Sequence, residues 1–252
     1  MKPSIGNISA FFSVSLCLCV ALADTTLPST QPTPADPTVA AAKKGSARFF
    51  QLHQKFLDRG RQGPIDLLFL GDSITEFWGT TGKTVWAKYY GDKNAANFGI
   101  SGDRTEHVLW RIDNGELDGI HPKVVVLMIG TNNTGVNTAE QIAAADEKIV
   151  SEIRAKLPDS KILLLAIFPR GPRKARGQLE DWRLKMKEIA YINSQLATLD
   201  DGTMIHYLDI GDQFLVDGKI PKDIMPDQLH PSAKGYEIWA EAIQPTLDEM
   251  MK

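Results

Sequence analysis

Cysteine is nearly missing from this chain: the only two, Cys17 and Cys19, fall among the first 19 of 252 residues. If that end is removed as an export signal, neither a disulfide nor a cysteine-built metal site is left. Long apolar runs are scarce as well. The stretch Phe11–Leu22, diluted by Ser13 and Ser15, is too short to remain as a membrane span. Basic charge is not in excess, with Lys+Arg 28 against Asp+Glu 31 and a formal net charge of −3. No segment is basic enough to follow a phosphate backbone, so no nucleic-acid partner is expected. No G-x-G-x-x-G follows a strand-like run, which argues against a dinucleotide cofactor. No G-x-S-x-G elbow is present, which argues against the α/β-hydrolase fold. No two of the five histidines have zinc-helix spacing, so neither a metal nor any other cofactor is expected.

What is present begins with an address. Lys2 gives a short positive start, Phe11–Leu22 an apolar middle, and Ala21-Leu22-Ala23 a small-x-small cleavage pattern. Residues 1–23 therefore predict a cleavable signal peptide and a secreted or periplasmic protein with no transmembrane anchor after cleavage. Residues 24–40 (DTTLPSTQPTPADPTVA) hold too little large apolar surface to offset their ordering entropy and predict a Pro/Thr-rich tether. The remainder, 41–252, shows no repeat and no second linker, so one domain is expected. Hydrophobic residues make up 43% and charged residues 23% of the chain, enough for a sizeable core.

Within that domain, strand-like and helix-like patterns alternate. A helix is predicted over 40–60, ending at Gly60. Five apolar runs then follow: Ile65–Leu70, Ala95–Phe98, Val124–Ile129, Ile162–Ile167 and Met204–Leu208. Helical patterns lie between and after them at Thr84–Tyr90, Thr105–Arg111, Thr138–Lys156, Trp182–Leu199 and Ser232–Met251. The run VVVLMI is apolar on both faces, as in a sheet covered on both sides. Such βα alternation predicts an α/β fold with a parallel sheet, whose chemistry gathers past the carboxyl ends of the strands.

Four short stretches stand at those ends or before the last helix: Gly71-Asp72-Ser73-Ile74-Thr75, Gly99-Ile100-Ser101-Gly102-Asp103, Gly130-Thr131-Asn132-Asn133 and Asp227-Gln228-Leu229-His230-Pro231. Together they hold every part of a hydrolytic site. Ser73, between a strand and a helix, can act as a nucleophile once a base takes its proton. His230 can be that base, and Asp227, three residues earlier, can orient its ring. The backbone N–H groups of Ser73 and Gly102, with the Asn132 side-chain amide, can serve a developing oxyanion. Asp72 and Asp103 read as loop hydrogen-bonding groups. Asn132-Asn133-Thr134 is a glycosylation sequon. A glycan at Asn132 would block the oxyanion site, so it is read as unused.

The four stretches resemble, in order, the conserved blocks of the SGNH (GDSL) hydrolases. The run NFGISGDRTEHVLWRIDN, with Phe168-Pro169-Arg170-Gly171, is similar to the branch holding the catalytic subunits of platelet-activating-factor acetylhydrolase Ib. The resemblance spans about residues 64 to 240. It implies a flavodoxin-like three-layer α/β/α sandwich with a five-stranded parallel sheet, and a metal-independent serine esterase. Carried over by position, it implies Ser73, His230 and Asp227 as the catalytic residues and Ser73, Gly102 and Asn132 as the oxyanion hole. One departure is Ser101, where that branch has glycine; the change is expected to place a hydroxyl beside the hole. The family includes dimers, so a homodimer is a partner the resemblance allows, although no interface pattern stands out.

Ile74, Thr131 and Leu229 neighbour the proposed catalytic groups and are expected to crowd the acyl side, favouring acetyl or other short chains. An exported acidic esterase of this kind suits a small ester or acetylated carbohydrate as substrate. The alternatives are a thioesterase or lysophospholipase of the same family, and a non-catalytic carbohydrate-binding module retaining the fold.

Overall fold

The computed structural model describes Met1, residues 35–175 and residues 177–252. Residues 2–23 of the expected signal peptide, and residues 24–34 of the expected tether, lie outside the described residues. The elements follow in the order α1 (Ala47–Arg61), β1 (Leu67–Gly71), α2 (Ser73–Glu76), α3 (Lys83–Tyr90), β2 (Ala95–Gly99), α4 (Thr105–Asp113) and β3 (Val124–Met128). Then come α5 (Ala139–Lys156), β4 (Lys161–Leu165), β5 (Lys174–Ala175), β6 (Gln178–Leu179), α6 (Trp182–Leu196), β7 (Ile205–Leu208) and α7 (Ala233–Met250).

β2, β1, β3, β4 and β7 form a parallel five-stranded sheet in that spatial order. This is the flavodoxin-like arrangement that the family resemblance implies. From β1 the chain runs out to β2, then crosses back to β3 on the other side of β1. The reversal opens a crevice past the carboxyl ends of β1 and β3.

Strand period 2 splits the core in two. Leu68, Leu70, Val125, Leu127, Ile162 and Leu164 point to one face and pack with α1, α4, α5 and α6. Leu67, Phe69, Val124, Val126, Leu163 and Leu165 point to the other, beneath α3 and α7. There Trp78 and Trp239, both with no exposed surface, lie 4.9 Å apart centroid to centroid. Burying one large apolar side chain contributes about 1.5–3 kcal/mol, so both layers are needed to hold the sheet.

Differences from the sequence-based expectation have local causes. α1 begins at Ala47, not at residue 40, because Gly45 takes φ +74° and the Ser46 hydroxyl caps the helix by accepting the Phe49 N–H at 3.3 Å. The antiparallel pair β5–β6 was not expected. Two residues per strand carry no periodic signal, and Gln178 and Leu179 are both exposed.

The last positions of the expected tether are fastened to the domain. The carbonyls of Ala35, Pro37 and Thr38 accept from Asn137 Nδ2 (2.9 Å), Thr105 Oγ1 (3.2 Å) and Lys148 Nζ (2.9 Å). Composition judged this stretch by its own small apolar content. Tertiary hydrogen bonds supply what it lacks, and the tether expectation does not hold for residues 35–40.

Candidate active site

β1 ends at Gly71, and α2 starts two residues later. A Cβ at Gly71 would overlap Thr75 Oγ1 and the Met128 carbonyl, so only glycine lets the short helix fold back over the strand end. Asp72 caps that helix, its Oδ1 accepting the Ile74 N–H at 2.9 Å. Ser73 is thereby the first helical residue. Its N–H enters no hydrogen bond among the described residues, and the same holds for the N–H of Gly102.

His230 arrives from the loop before α7. Its Nε2 lies 2.9 Å from Ser73 Oγ, across 157 positions of sequence. Its Nδ1 lies 2.8 Å from Asp227 Oδ2. Gln228 adopts φ +63°, and the turn brings the N–H groups of Leu229 and His230 onto Asp227 Oδ1 at 3.1 and 2.8 Å. Burial alone would raise the Asp227 carboxyl. The His230 ring, the His230 N–H and the charge of Arg173 outweigh it and hold Asp227 below the ordinary carboxylate range. An ionised Asp227 accepts from Nδ1–H, which leaves the Nε2 lone pair facing Ser73.

Past β3, Asn132 Nδ2 donates to Asp72 Oδ2 (3.1 Å) and to the Asp103 carbonyl (2.8 Å). Both amide hydrogens are thus engaged, and giving one to an oxyanion means exchanging one of these bonds. Asn133 is buried and ties this loop to α4, accepting the Thr105 N–H at 3.1 Å and donating to Glu106 Oε2 at 3.1 Å.

The chain has known relatives. The sequence matches the GDSL-like Lipase/Acylhydrolase family over residues 69–238. Its relatives include platelet-activating factor acetylhydrolase IB subunit alpha1 of Bos taurus, 33% identical over 210 residues, which span 83% of this chain and 84% of that protein. Subunit alpha2 of Rattus norvegicus is 36% identical over 204 residues, 79% of this chain and 83% of that one. This protein belongs to the GDSL-like lipase/acylhydrolase family. The fold is shared with Est24, a carbohydrate acetylesterase from Sinorhizobium meliloti (TM-score 0.58, 18% identity, covering 74% of this chain and 99% of that one).

In this GDSL acylhydrolase the loop bearing Gly102 rests on buried charge. Asp103 Oδ1 lies 2.7 Å from Lys43 Nζ, and its Oδ2 lies 3.0 Å from Arg111 Nε. Arg111 has no exposed surface. It pairs also with Glu116 and donates to the carbonyls of Phe98 (2.9 Å) and Gly71 (3.3 Å), clamping the ends of β2 and β1. His53 Nδ1 completes the chain of contacts, 3.0 Å from Glu116 Oε2. Burial raises Asp103, against the lowering effect of Arg111 and Lys43, and burial pushes Asp72 up to about 7. For His107, burial first and then the charges of Lys43, Arg104 and Arg111 bring the ring down to about 3. A neutral His107 accepts the Arg104 N–H at 3.0 Å and so serves α4 as a capping group.

Two expectations change with the side chains in view. The Ser101 hydroxyl does not face the hole: it donates to Glu76 Oε2 at 2.6 Å, as does the Ser101 N–H at 2.6 Å. Ile74, Thr131 and Leu229 are only 1%, 3% and 5% exposed. Ile74 and Leu229 belong to the core beneath the site, and Thr131 Oγ1 accepts from Arg170 at 3.3 Å.

Sequence reasoning missed Lys43, Arg111, Glu116 and Arg173, the last of which places a guanidinium nitrogen 3.4 Å from Asp227 Oδ2. Lys43 lies in a stretch that reads as ordinary solvated helix. Arg111 offered only a faint signal, a charge beside Ile112 in an otherwise core-facing helical repeat.

Proposed function

We propose that this acylhydrolase is an exported serine esterase for short acyl esters, acetyl above all, with acetylated carbohydrate as the substrate class. The observation that carries the reading is the continuous contact from Asp227 through His230 to Ser73, at 2.8 and 2.9 Å.

The chemistry follows from those atoms. His230 Nε2 takes the Ser73 proton as Oγ attacks the acyl carbon, and the carbonyl oxygen becomes an oxyanion. Asp227 stabilises the imidazolium. The Ser73 and Gly102 N–H groups stand free to bind the oxyanion, with Asn132 Nδ2 as a third donor after it releases one partner. The tetrahedral species then collapses: the C–O bond to the alcohol breaks, and the leaving oxygen takes the proton from Nε2. Water, deprotonated by the same nitrogen, repeats the sequence and frees the acid from Ser73. No redox step occurs.

Preference for acetyl is supported by the two relatives, both named as acetylhydrolase subunits. The carbohydrate assignment rests on the export pattern in residues 1–23. Hydrolysis of p-nitrophenyl acetate by the full chain should be lost in Ser73→Ala. Equal rates for the two proteins would remove the nucleophile assignment. Acetate released from acetylated xylan, set beside an acyl series from acetate to octanoate, tests the substrate. Turnover of octanoate without release of acetate overturns the acetyl reading. The export reading is tested by the N-terminal mass of protein recovered outside the cytoplasm, expected to begin at Asp24.

A further inference from the structure

The Gly102 N–H can reach an oxyanion only if its peptide plane faces Ser73, and the turn that carries it allows two orientations. Residues 100–103 form a β-turn closed by the Asp103 N–H on the Ile100 carbonyl at 3.0 Å. Gly102, third in the turn, takes φ +72°, the left-handed value that marks a type II turn. Type I and type II turns differ by a half-rotation of the central peptide, here the Ser101 C=O joined to the Gly102 N–H. In a trans peptide these two groups point in opposite directions. Whatever grips the Ser101 oxygen therefore decides where the Gly102 N–H points.

The grip comes from Lys43, whose Nζ donates to the Ser101 carbonyl at 2.9 Å. The ammonium is itself held 2.7 Å from Asp103 Oδ1 and lies 5.7 Å from the centroid of the Phe49 ring. Glu76 holds the preceding peptide through the Ser101 N–H, so the turn is fixed at two successive peptides. On the Gly102 side, a Cβ would meet only Lys43 Nζ, at 3.7 Å. Lys43 precedes the family-matched residues 69–238 and rides on a segment moored to the domain. Besides the bonds at 35, 37 and 38, the Ala41 N–H donates to the Glu106 carbonyl at 3.0 Å.

We infer that Lys43 is a positioning residue of the oxyanion hole: its ammonium holds the Ser101 carbonyl, turns the Gly102 N–H toward the acyl oxygen, and polarises that peptide into a stronger donor. The inference rests on the serine-esterase reading above. It makes the segment before α1 a working part of the site, since without Lys43 the central peptide is free to turn its carbonyl toward the substrate oxygen. Neighbouring hydrogen bonds in a low-dielectric setting strengthen one another, which gives the contact an electronic as well as a geometric effect.

The test uses the full chain and p-nitrophenyl acetate, with wild type, Ser73→Ala, Lys43→Met, Lys43→Arg, and Lys43→Cys before and after 2-bromoethylamine, which rebuilds an ammonium at the same reach. Outright loss of a hole donor costs roughly 10²–10³ in kcat. Partial misorientation in Lys43→Met should lower kcat about 10- to 100-fold with KM within about twofold. Affinity for a methylboronic acid inhibitor, whose tetrahedral adduct uses the hole, should weaken by a similar factor. Aminoethylation of Lys43→Cys, and the Lys43→Arg variant, should restore both quantities. Wild type treated with the same reagent should not change.

A folded Lys43→Met with wild-type kcat overturns the proposal, as does a loss confined to KM. If Lys43→Met is unfolded by far-UV circular dichroism, the aminoethylated protein decides. Restored structure with restored kcat and boronate affinity upholds the role, and restored structure with low kcat overturns it. Full turnover in Ser73→Ala removes the esterase reading and this proposal with it. An inactive Ser73→Ala beside an unimpaired Lys43→Met removes this proposal alone.

Discussion

Arg111→Met is the sharpest test of how the strand ends beneath the site are held. The guanidinium has no exposed surface, pairs with Asp103 and Glu116, and donates to the carbonyls of Gly71 and Phe98. Methionine keeps much of the stem and volume, so lost packing is a minor part of the effect. Breaking a buried ion pair by removing one partner costs about 3–5 kcal/mol, and the low end applies here because Lys43 stays 2.7 Å from Asp103 and compensates part of its charge. Each carbonyl stripped of its donor adds about 1–3 kcal/mol if water cannot reach it. Asp103 offsets part of this by taking up a proton, since burial already raises it. A net loss of about 4 kcal/mol is expected near neutral pH; with a urea m-value of about 2–3 kcal/mol/M this moves the midpoint down by roughly 1.3–2 M.

The pH dependence has a definite sign. In the variant Asp103 binds its proton more tightly folded than unfolded, so stability falls as pH rises above the unfolded value of about 3.9. The deficit against wild type should therefore be smaller at pH 5 than at pH 8. Urea titrations followed by far-UV circular dichroism at both pH values measure it. A loss under about 1 kcal/mol at pH 8, or a deficit that shrinks toward alkaline pH, refutes the clamp.

Asp146 is buried, neither of its carboxylate oxygens has a hydrogen-bond partner among the described residues, and burial, with Asp72 adding to it, raises it well above the ordinary range. Its contribution is favourable below the unfolded value and is lost as pH rises. Asp146→Asn should thus match wild type in melting temperature near pH 4 and exceed it at pH 8, and the opposite order contradicts the reasoning. Asp227→Asn leaves the turn near its native shape but favours the wrong imidazole tautomer. Turnover of p-nitrophenyl acetate should drop by about 10³–10⁴ while far-UV circular dichroism shows the fold intact, and wild-type kcat would exclude Asp227 as the partner of His230.

Much of this was legible in one dimension because its physical cause is local. Apolar period 2 and period 3.6 mark the strands and helices, and βα alternation restricts the sheet to a parallel one. The residues of the candidate site were legible for a related reason. Chemistry at a parallel sheet must sit at carboxyl ends, so Ser73, Gly102 and Asn132 stand directly after β1, β2 and β3. Asp227 and His230 announce each other by a three-residue offset that a turn can close.

Other features depend on which segments become neighbours, and no window of sequence contains that. Lys43 and Ser101 are 58 positions apart, and neither carries a pattern that names the other. Arg111 reads as one more surface charge until the fold removes all its solvent and leaves Asp103, Glu116 and two carbonyls as its surroundings. Ser101 looked like a hydroxyl for the hole, and only the position of Glu76 turned it away. Periodicity reports the mean environment along an element, which is enough to lay out the sheet and its reactive edge. The pairing of charges and the facing of a single peptide bond come from long-range packing, and the tertiary structure alone decided them.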